Sequence, residues 1–219
     1  VLNLKYALDV QASVTSVYVD WGKRGYFPDT PPPASHATLT FPKTDKTKGP
    51  VIMHWMDGGI KPERPPELGA DELFGDGNSG ILFIGTKGKM MASEYAANPR
   101  LLPLSKMNEV KVKQTIDRVP GSADGHYAQW VEGAIAGYGN KELSSSFDLA
   151  GPLTEAVLMA NLAIRVADIP KLRASGKGYD YPGSNTKLLW DYQNMKVTNY
   201  DEANQFVKRE YRQGWTLGV

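Results

Sequence analysis

Residues 36–41 (HATLTF) and 51–56 (VIMHWM) are the two segments that decide the fold class of this chain. In 36–41 the odd-numbered positions are apolar and the even-numbered positions are polar, which is the two-residue period of a half-buried strand. In 51–56 both faces are apolar except at His54. Alternation with one wet face is typical of strands in an antiparallel sheet. We therefore predict strands at both segments and a largely antiparallel sheet.

Further strands are predicted before and after these two. Residues 10–19 are rich in Val and Thr, and residues 80–92 contain two short runs around a Gly-Thr-Lys-Gly turn at 85–88, which predicts a hairpin. Residues 109–119 alternate, with Val and Ile on one side and mainly charged residues on the other. This alternation predicts another strand with one wet face.

The remainder of the chain changes to a helical period. Asp124 can cap a helix that Gly137 ends, and Pro152 suits the first turn of a helix that runs to about Ala167. The apolar stripe of this second helix is predicted at Leu153, Val157, Ala160 and Ile164. A third helix is predicted over 199–214, where Glu stands at capping-box spacing.

Composition excludes several classes of function. The 219 residues carry 25 Lys and Arg against 24 Asp and Glu, so no strong field draws the chain to nucleic acid or to an anionic membrane. The absence of cysteine excludes a disulfide scaffold, a thiolate zinc site and a cysteine nucleophile, and it suits cytosol and periplasm equally. No continuous apolar run approaches the roughly 18 residues of a membrane span. No repeat or low-complexity linker divides the sequence, so we predict one α+β domain over residues 1–219.

A glycine-rich segment at 75–80 matches the pattern G-x-G-x-x-G of dinucleotide-binding turns. That motif requires a strand before it and a helix after it, because the helix N-terminus holds the pyrophosphate. Here a polar loop precedes the motif and a predicted strand follows it. We therefore predict a strand-leading turn and no cofactor-binding residues in this chain.

The three histidines, His36, His54 and His126, do not have the spacing of a zinc motif, and we predict no metal site. His54 lies in a predicted strand, where it is either a hydrogen-bonded structural imidazole or a group that faces substrate. His126 begins a predicted helix, where the positive end of the helix dipole favours a neutral imidazole. That position suits either a substrate-facing acid or base or a capping side chain.

Acidic and aromatic residues in the loops are the remaining candidates. Asp57, Glu63 and Glu67 could supply a carboxylate pair for glycoside chemistry, and the alternative is solvated loop charge with Asp57 capping a Gly-Gly turn. Trp21 is one of several loop aromatics, whose rings stack on the C–H faces of sugars while polar neighbours bind hydroxyl groups. Core packing explains most of these aromatics equally well.

Several short strings follow one another in a characteristic order along the chain. They occupy residues 2–6, 54–59, 62, 65–66, 80–88, 126–130, 151–155, 161–165, 189–191, 198–199, 202–204 and 211–215. In this order and spacing they resemble the C-terminal half of bacterial oxidoreductases of the Gfo/Idh/MocA family, the superfamily of glucose–fructose oxidoreductase and inositol dehydrogenase.

The resemblance implies a two-domain parent protein whose N-terminal Rossmann domain binds NAD or NADP and lies outside this chain. The chain itself would be a dihydrodipicolinate-reductase-like domain, an open and mostly antiparallel sheet with helices packed on one face. The exposed sheet face would join subunits of a homo-oligomer. The principal lysine and histidine of catalysis are expected upstream of Leu2, because Lys61-Pro62-Glu63 is not the Glu-Lys-Pro motif of the family.

The expected function is substrate binding and oligomerisation within an NAD(P)-dependent oxidoreductase (a dehydrogenase) that acts on a sugar or polyol. His54, Asp57, His126 and Trp21 are expected on the substrate side, and the chain alone is expected to be catalytically incomplete. Two alternatives remain, which are NAD-dependent glycoside cleavage or elimination in the same superfamily and a non-catalytic carbohydrate-binding domain. The resemblance points to a bacterial protein of the periplasm or cytoplasm.

Overall fold

A computed structural model of the chain describes residues 2–121 and 124–216. Helices and antiparallel sheets occur together, which confirms the α+β class. The chain divides into two compact units, one of residues 1–61 and 123–219 and the other of residues 62–122. The prediction of one domain over residues 1–219 did not anticipate this division, because no change of composition marks either boundary.

The regular elements of the described residues follow a strand-rich first half and a helical middle. The strands are β1 (Asp9–Val14), β2 (Tyr18–Asp20), β3 (Lys23–Arg24), β4 (Ser35–Phe41), β5 (Val51–Met56), β6 (Ile81–Gly85), β7 (Gly88–Ala92), β8 (Arg100–Leu102), β9 (Lys171–Leu172), β10 (Tyr179–Asp180), β11 (Leu188–Asp191) and β12 (Lys196–Val197). The helices are α1 (Gly125–Ala136) and α2 (Phe147–Ala167). Short 3-10 helices span Glu94–Ala96, Leu104–Asn108 and Asp201–Phe206.

The first unit is built on a five-stranded sheet in the order β12-β11-β1-β4-β5. Every neighbouring pair is antiparallel, and Val10 at the centre lies opposite Leu39 on β4 and Leu188 on β11. Strands β4 and β5 form where their alternation predicted them. The register places the apolar positions of β1, β4 and β11 on one face of the sheet, since side chains alternate along each strand.

Helix α2 covers this apolar face and completes the core. The buried cluster contains Val10, Ala12, Ala37, Leu39, Phe41, Ala156, Met159, Leu162, Ala163, Val166, Leu188, Trp190, Val197 and Ala203. The indole Nε1–H of Trp190 donates to Glu155 Oε1 at 2.7 Å, which ties the sheet to the helix by a polar contact as well. We call the side that α2 packs on the covered face and the other side the open face.

The predicted start of α2 and half of its predicted stripe were wrong, whereas its end at Ala167 is as predicted and Ala160 and Ile164 pack against the core. The helix begins at Phe147, so Pro152 lies inside it and not in the first turn, and the carbonyl of Asp148 lacks its usual helical partner. Leu153 and Val157, predicted to be buried, are 65% and 58% exposed. The packed side is rotated from the predicted stripe, and the buried residues of α2 are Pro152, Ala156, Met159, Leu162, Ala163, Val166 and Ala167.

Among the described helices, α2 alone has the length and hydropathy of a membrane span, with a mean hydropathy of 1.3 over an 18-residue window. The search for a continuous apolar run in the sequence did not detect α2, because polar residues such as Thr154 and Asn161 interrupt the run. Since one side of α2 is buried on the sheet, we interpret it as the core helix of its unit.

Two other helical predictions had different outcomes. Helix α1 ends at Gly137 as predicted, but its apolar residues Tyr127, Trp130 and Ile135 are exposed. The helix predicted over 199–214 is only the short 3-10 helix Asp201–Phe206, in which Ala203 is buried.

The second unit carries a three-stranded antiparallel sheet in the order β6-β7-β8. The predicted hairpin is present, with Gly85 opposite Gly88 at its turn, and its core contains Leu68, Met91 and Leu102. The strand predicted over 109–119 is wrong, because that segment has no regular structure and Val112 is 84% exposed. Alternation creates a strand only where a partner strand completes its hydrogen bonds.

Candidate functional site

A cavity of about 250 Å³ lies within the first unit, at the end of α2. Its lining residues are Thr15, Val17, Gly25, Phe27, Thr30, Pro31, Pro32, Pro33 and Asp168. The Phe27 ring and the three proline rings form most of the wall. The polar groups are the hydroxyls of Thr15 and Thr30 and the carboxylate of Asp168. A mostly apolar concavity with a few placed polar groups is the usual form of a small-molecule site.

The long loop between β3 and β4 forms one wall of the cavity. The proline run 31–33 fixes the backbone of this wall, because each ring restricts φ. Thr15 then anchors the end of the run, since its Oγ1 accepts from the Ala34 N–H at 3.1 Å and lies 3.2 Å from the Ala34 carbonyl. Gly25 makes room for Phe27, because a Cβ at Gly25 would stand 2.5 Å from that ring.

Asp57 supports the same wall from behind. Its carboxylate accepts from the Ser35 N–H at 2.6 Å, from the Ser35 hydroxyl at 2.9 Å and from Trp55 Nε1 at 3.3 Å. These contacts fix the chain two residues after Pro33. Asp57 therefore positions the loop and is not among the lining residues, and these contacts are neither the carboxylate pair nor the capped Gly-Gly turn considered above.

Gly58 lies against the proline loop, and its lack of a side chain permits this close approach. Its φ is +62°, and a Cβ there would stand 2.1 Å from the Pro33 carbonyl oxygen. The neighbouring Gly59 also has a positive φ, but a Cβ at that position would meet open space. The Gly-Gly turn thus holds the proline wall through one of its two glycines.

An ion pair between Arg24 and Asp168 provides the charge beside the cavity. The side chains of the two residues are 13% and 28% exposed, so the pair is partly buried. Asp168 follows the C-terminus of α2, where the helix dipole disfavours a negative charge. The positive charge of Arg24 offsets this unfavourable interaction with the helix dipole. The guanidinium of Arg24 also lies 4.1 Å from the ring centre of Tyr181.

His54 lies on the open face, away from the helix that carries Asp168. Its Nδ1 is 2.9 Å from Nε2 of His36 and 3.3 Å from Oγ1 of Thr38. Partial burial and the nearby charge of His54 lower the pKa of His36 below its ordinary value of 6.5. The sequence analysis named His36 only as one of three histidines, although its polar position in β4 and that of His54 in β5 already shared one face.

The two remaining predicted residues lie elsewhere in the first unit. Trp21 stands at the tip of the β2–β3 turn, and its side chain is fully exposed. Its backbone N–H donates to the Asp20 carboxylate. His126 lies in the first turn of α1, and its ring is tilted by 39° against that of Tyr127 at a centroid distance of 3.8 Å. In residues 2–121 and 124–216, no contact joins His126 or Trp21 to His54.

The residues that sequence reasoning missed are Arg24, Asp168 and the proline run 31–33. One signal was available, because the Pro-rich loop 21–35 is unusually long for a compact domain. The partnership of Arg24 with Asp168 spans 144 residues of sequence, and nothing local indicates it.

Neither a metal cluster nor a phosphate-binding turn occurs among the described residues. The described ranges contain no cluster of three or more His, Cys, Asp or Glu side chains suited to a metal ion. In the glycine-rich turn, the Asp76 carboxylate accepts from the N–H groups of Asn78, Ser79 and Glu94 at 3.0, 2.7 and 3.3 Å. These bonds lower the pKa of Asp76 and occupy the donors that a phosphate would need.

Comparison with protein-family models gives no match for this chain. A search of curated proteins also finds no similar sequence.

Proposed function

We propose that this chain is the substrate-binding and oligomerisation part of an NAD(P)-dependent oxidoreductase that acts on a sugar or polyol. The observation that carries the proposal is the cavity between Phe27, the proline run 31–33 and Asp168. The finer fold assignment, a dihydrodipicolinate-reductase-like domain, belongs to the same proposal. Its support is an antiparallel sheet with one covered and one open face.

The lining of the cavity suits a small polyhydroxy ligand. The Phe27 ring and the prolines offer surfaces for C–H groups, while Asp168 accepts hydrogen bonds from hydroxyl groups. Arg24 already neutralises Asp168, so the site has no free cation for a second carboxylate. We therefore assign neutral sugars and polyols to the cavity in preference to sugar acids.

The cofactor belongs to another part of the proposed enzyme. NAD or NADP supplies hydride transfer when bound, and the described residues offer no cradle for its pyrophosphate. In this proposal the chain binds and orients the substrate, and Asp57 positions the loop that does so.

The open face is the surface proposed for oligomerisation. Ile52 and Leu189 on that face are 60% and 44% exposed, so a neighbouring subunit would remove apolar surface from water. A homo-oligomer at tens of micromolar, measured by light scattering, is the expected result. A monomer that persists at that concentration would contradict this part of the proposal.

The binding proposal is tested by titrating the chain with glucose, glucosamine, glucuronate and glucitol, with calorimetry and NMR as readouts. We expect glucose and glucitol to bind, glucuronate to bind at least tenfold more weakly, and Phe27→Ala to lose tenfold or more in affinity. Asp168→Asn should remove the discrimination against glucuronate. The matched control is Asp180→Asn, because Asp180 pairs with Arg173 on an exposed hairpin.

Two outcomes would overturn the binding proposal. One is that none of the four compounds binds, and the other is that Phe27→Ala and Asp180→Asn behave alike. A third titration uses NAD and NADP, for which we expect no measurable binding by this chain. Micromolar affinity for either one would contradict the assignment of the cofactor to another part of the protein.

A further inference from the structure

Two imidazoles stand side by side on the open face of the five-stranded sheet. In the register of β4 and β5, His36 lies opposite Met56 and Thr38 lies opposite His54, so the two histidines are diagonal neighbours. Their Nε2 and Nδ1 atoms are 2.9 Å apart, and the ring centres are 5.2 Å apart. Each ring projects from a hydrogen-bonded strand, which fixes the spacing between the two backbones.

This spacing fits two adjacent ligands of one metal ion. Metal–imidazole bonds are about 2.0–2.1 Å long, so two such bonds at a right angle place their nitrogens about 2.9 Å apart. Right-angled ligands are typical of tetragonal Cu²⁺ and Ni²⁺, whereas a tetrahedral ion separates its ligands further. In the structure the two nitrogens share a hydrogen bond, and Thr38 Oγ1 lies 3.3 Å from His54 Nδ1. Because His54 is exposed, its ring can turn when an ion binds, so that this hydrogen bond is given up and both lone pairs meet at the ion.

We propose that His36 and His54 form a two-histidine site for a divalent transition-metal ion, with water in the remaining positions. The groups around the pair are uncharged, since Ser13 lies opposite His36 and Thr38 lies opposite His54. Asp9, which lies opposite Thr40, is a charged residue on this face, and it pairs with Lys187 at 3.7 Å. The site is separate from the cavity, but it lies on the open face proposed above for oligomerisation, so a subunit that covers this face would compete with the ion.

Metal binding by the pair is expected to depend on the pH and on the ion. Imidazole binds a metal only as the neutral base, so protons compete with the ion and the affinity is expected to fall in acid. Affinity is expected to be highest for Cu²⁺, intermediate for Ni²⁺ and weakest for Co²⁺. Mg²⁺ and Ca²⁺ prefer oxygen ligands and are not expected to bind here.

The test is calorimetric titration of the untagged chain with Ni²⁺ at pH 7.5. Wild type should bind one ion, and His36→Asn and His54→Asn should each lose tenfold or more in affinity. His126→Asn is the matched control, because it removes the third histidine, which does not contact the pair. Circular dichroism of each variant establishes that it is folded.

A spectroscopic readout on wild type makes the test independent of the variants. Cu²⁺ bound to the chain should give the electron paramagnetic resonance pattern of two nitrogen ligands, and this pattern should be unchanged in His126→Asn. Equal Ni²⁺ affinity in wild type and His36→Asn would overturn the proposal. A Cu²⁺ spectrum with a single nitrogen, or one altered by His126→Asn, would overturn it as well.

Discussion

The two faces of the five-stranded sheet use alternate residues of the same strands for opposite purposes. On β4 the odd positions Ala37 and Leu39 are fully buried, whereas the even positions His36 and Thr38 lie at the open face and contact His54. The covered face is fixed by packing against α2, and the open face is fixed by polar contacts between strands. A strand pattern therefore distributes side chains between two faces, and only the next layer decides what each face does.

The largest expected effect compares neighbouring positions on opposite faces. Leu39→Ala removes a side chain that is 0% exposed, and the resulting cavity should lower the free energy of unfolding by about 2–5 kcal/mol. Thr40→Ala, one residue away on the open face, should lower it by less than about 1 kcal/mol. Urea denaturation monitored by circular dichroism measures both. Equal losses would mean that the two faces do not differ as described.

The second prediction concerns the turn that supports the cavity wall. Gly58→Ala and Gly59→Ala both place a Cβ on a residue with positive φ, at a cost of about 1–2 kcal/mol each. Only Gly58→Ala also forces a Cβ against the Pro33 carbonyl, which should add about 1–3 kcal/mol. Thermal unfolding of the two variants isolates this difference. If Gly59→Ala were the more damaging change, the proposed support of the loop by Gly58 would be wrong.

A smaller effect separates a partly buried ion pair from an exposed one. Asp168→Asn leaves Arg24 beside the cavity without its anion and should cost about 1–2 kcal/mol of unfolding free energy, between the values for exposed and buried pairs. Asp180→Asn removes an exposed Arg–Asp pair and should cost less than about 1 kcal/mol. Chemical denaturation at low and high salt gives the comparison. Greater salt sensitivity for the Arg24 pair than for the exposed pair would count against the burial difference.

The smallest effect is a pH dependence that belongs to the open face. The pKa of His36 is lowered in the folded chain, so the unfolded chain binds more protons between that pKa and 6.5. Stability from this residue is therefore complete above pH 6.5 and is lost as the pH falls through the folded pKa. His36→Asn should flatten the stability profile below pH 6.5. The same titration on His126→Asn serves as control and should retain the wild-type slope.

Local pattern predicted the strands of the sheet better than it predicted the site. Strands β4 and β5 were predictable because alternation and burial act on the same few residues. The segment 109–119 alternates equally well but has no partner strand. A local pattern does not reveal whether such a partner exists elsewhere in the chain. Helix α2 was displaced in prediction because Pro152 was taken to mark the first turn, although the helix accommodates it in its interior.

The candidate site was harder because its parts come from distant segments. Asp57 was named from sequence as a substrate-side residue or as the cap of the Gly-Gly turn, and its contacts with Ser35 and Trp55 were not anticipated. Arg24 and Asp168 come from the two separate sequence segments of the first unit, and only the tertiary fold brings them together. His36 and His54 could have been paired by noting that both occupy polar positions of neighbouring strands.

The order of the strands in the sheet also affects how the chain can fold while it is being synthesised. Strand β1 finds its first neighbour, β4, within a few dozen residues, but its other neighbour, β11, pairs Leu189 with Asp9 across 180 positions. At a translation rate of about 5–20 residues per second, the 180 residues from Asp9 to Leu189 take roughly 9–36 s to synthesise. Once β5 has been made, the growing chain holds the strands β1, β4 and β5, in which the edge of β1 still lacks β11 and β5 forms the other edge, and until α2 is made the apolar face is uncovered. A ribosome-bound chain is therefore most open to mispairing at the β1 edge before residue 188 is made, and pairing with β11 ends this exposure.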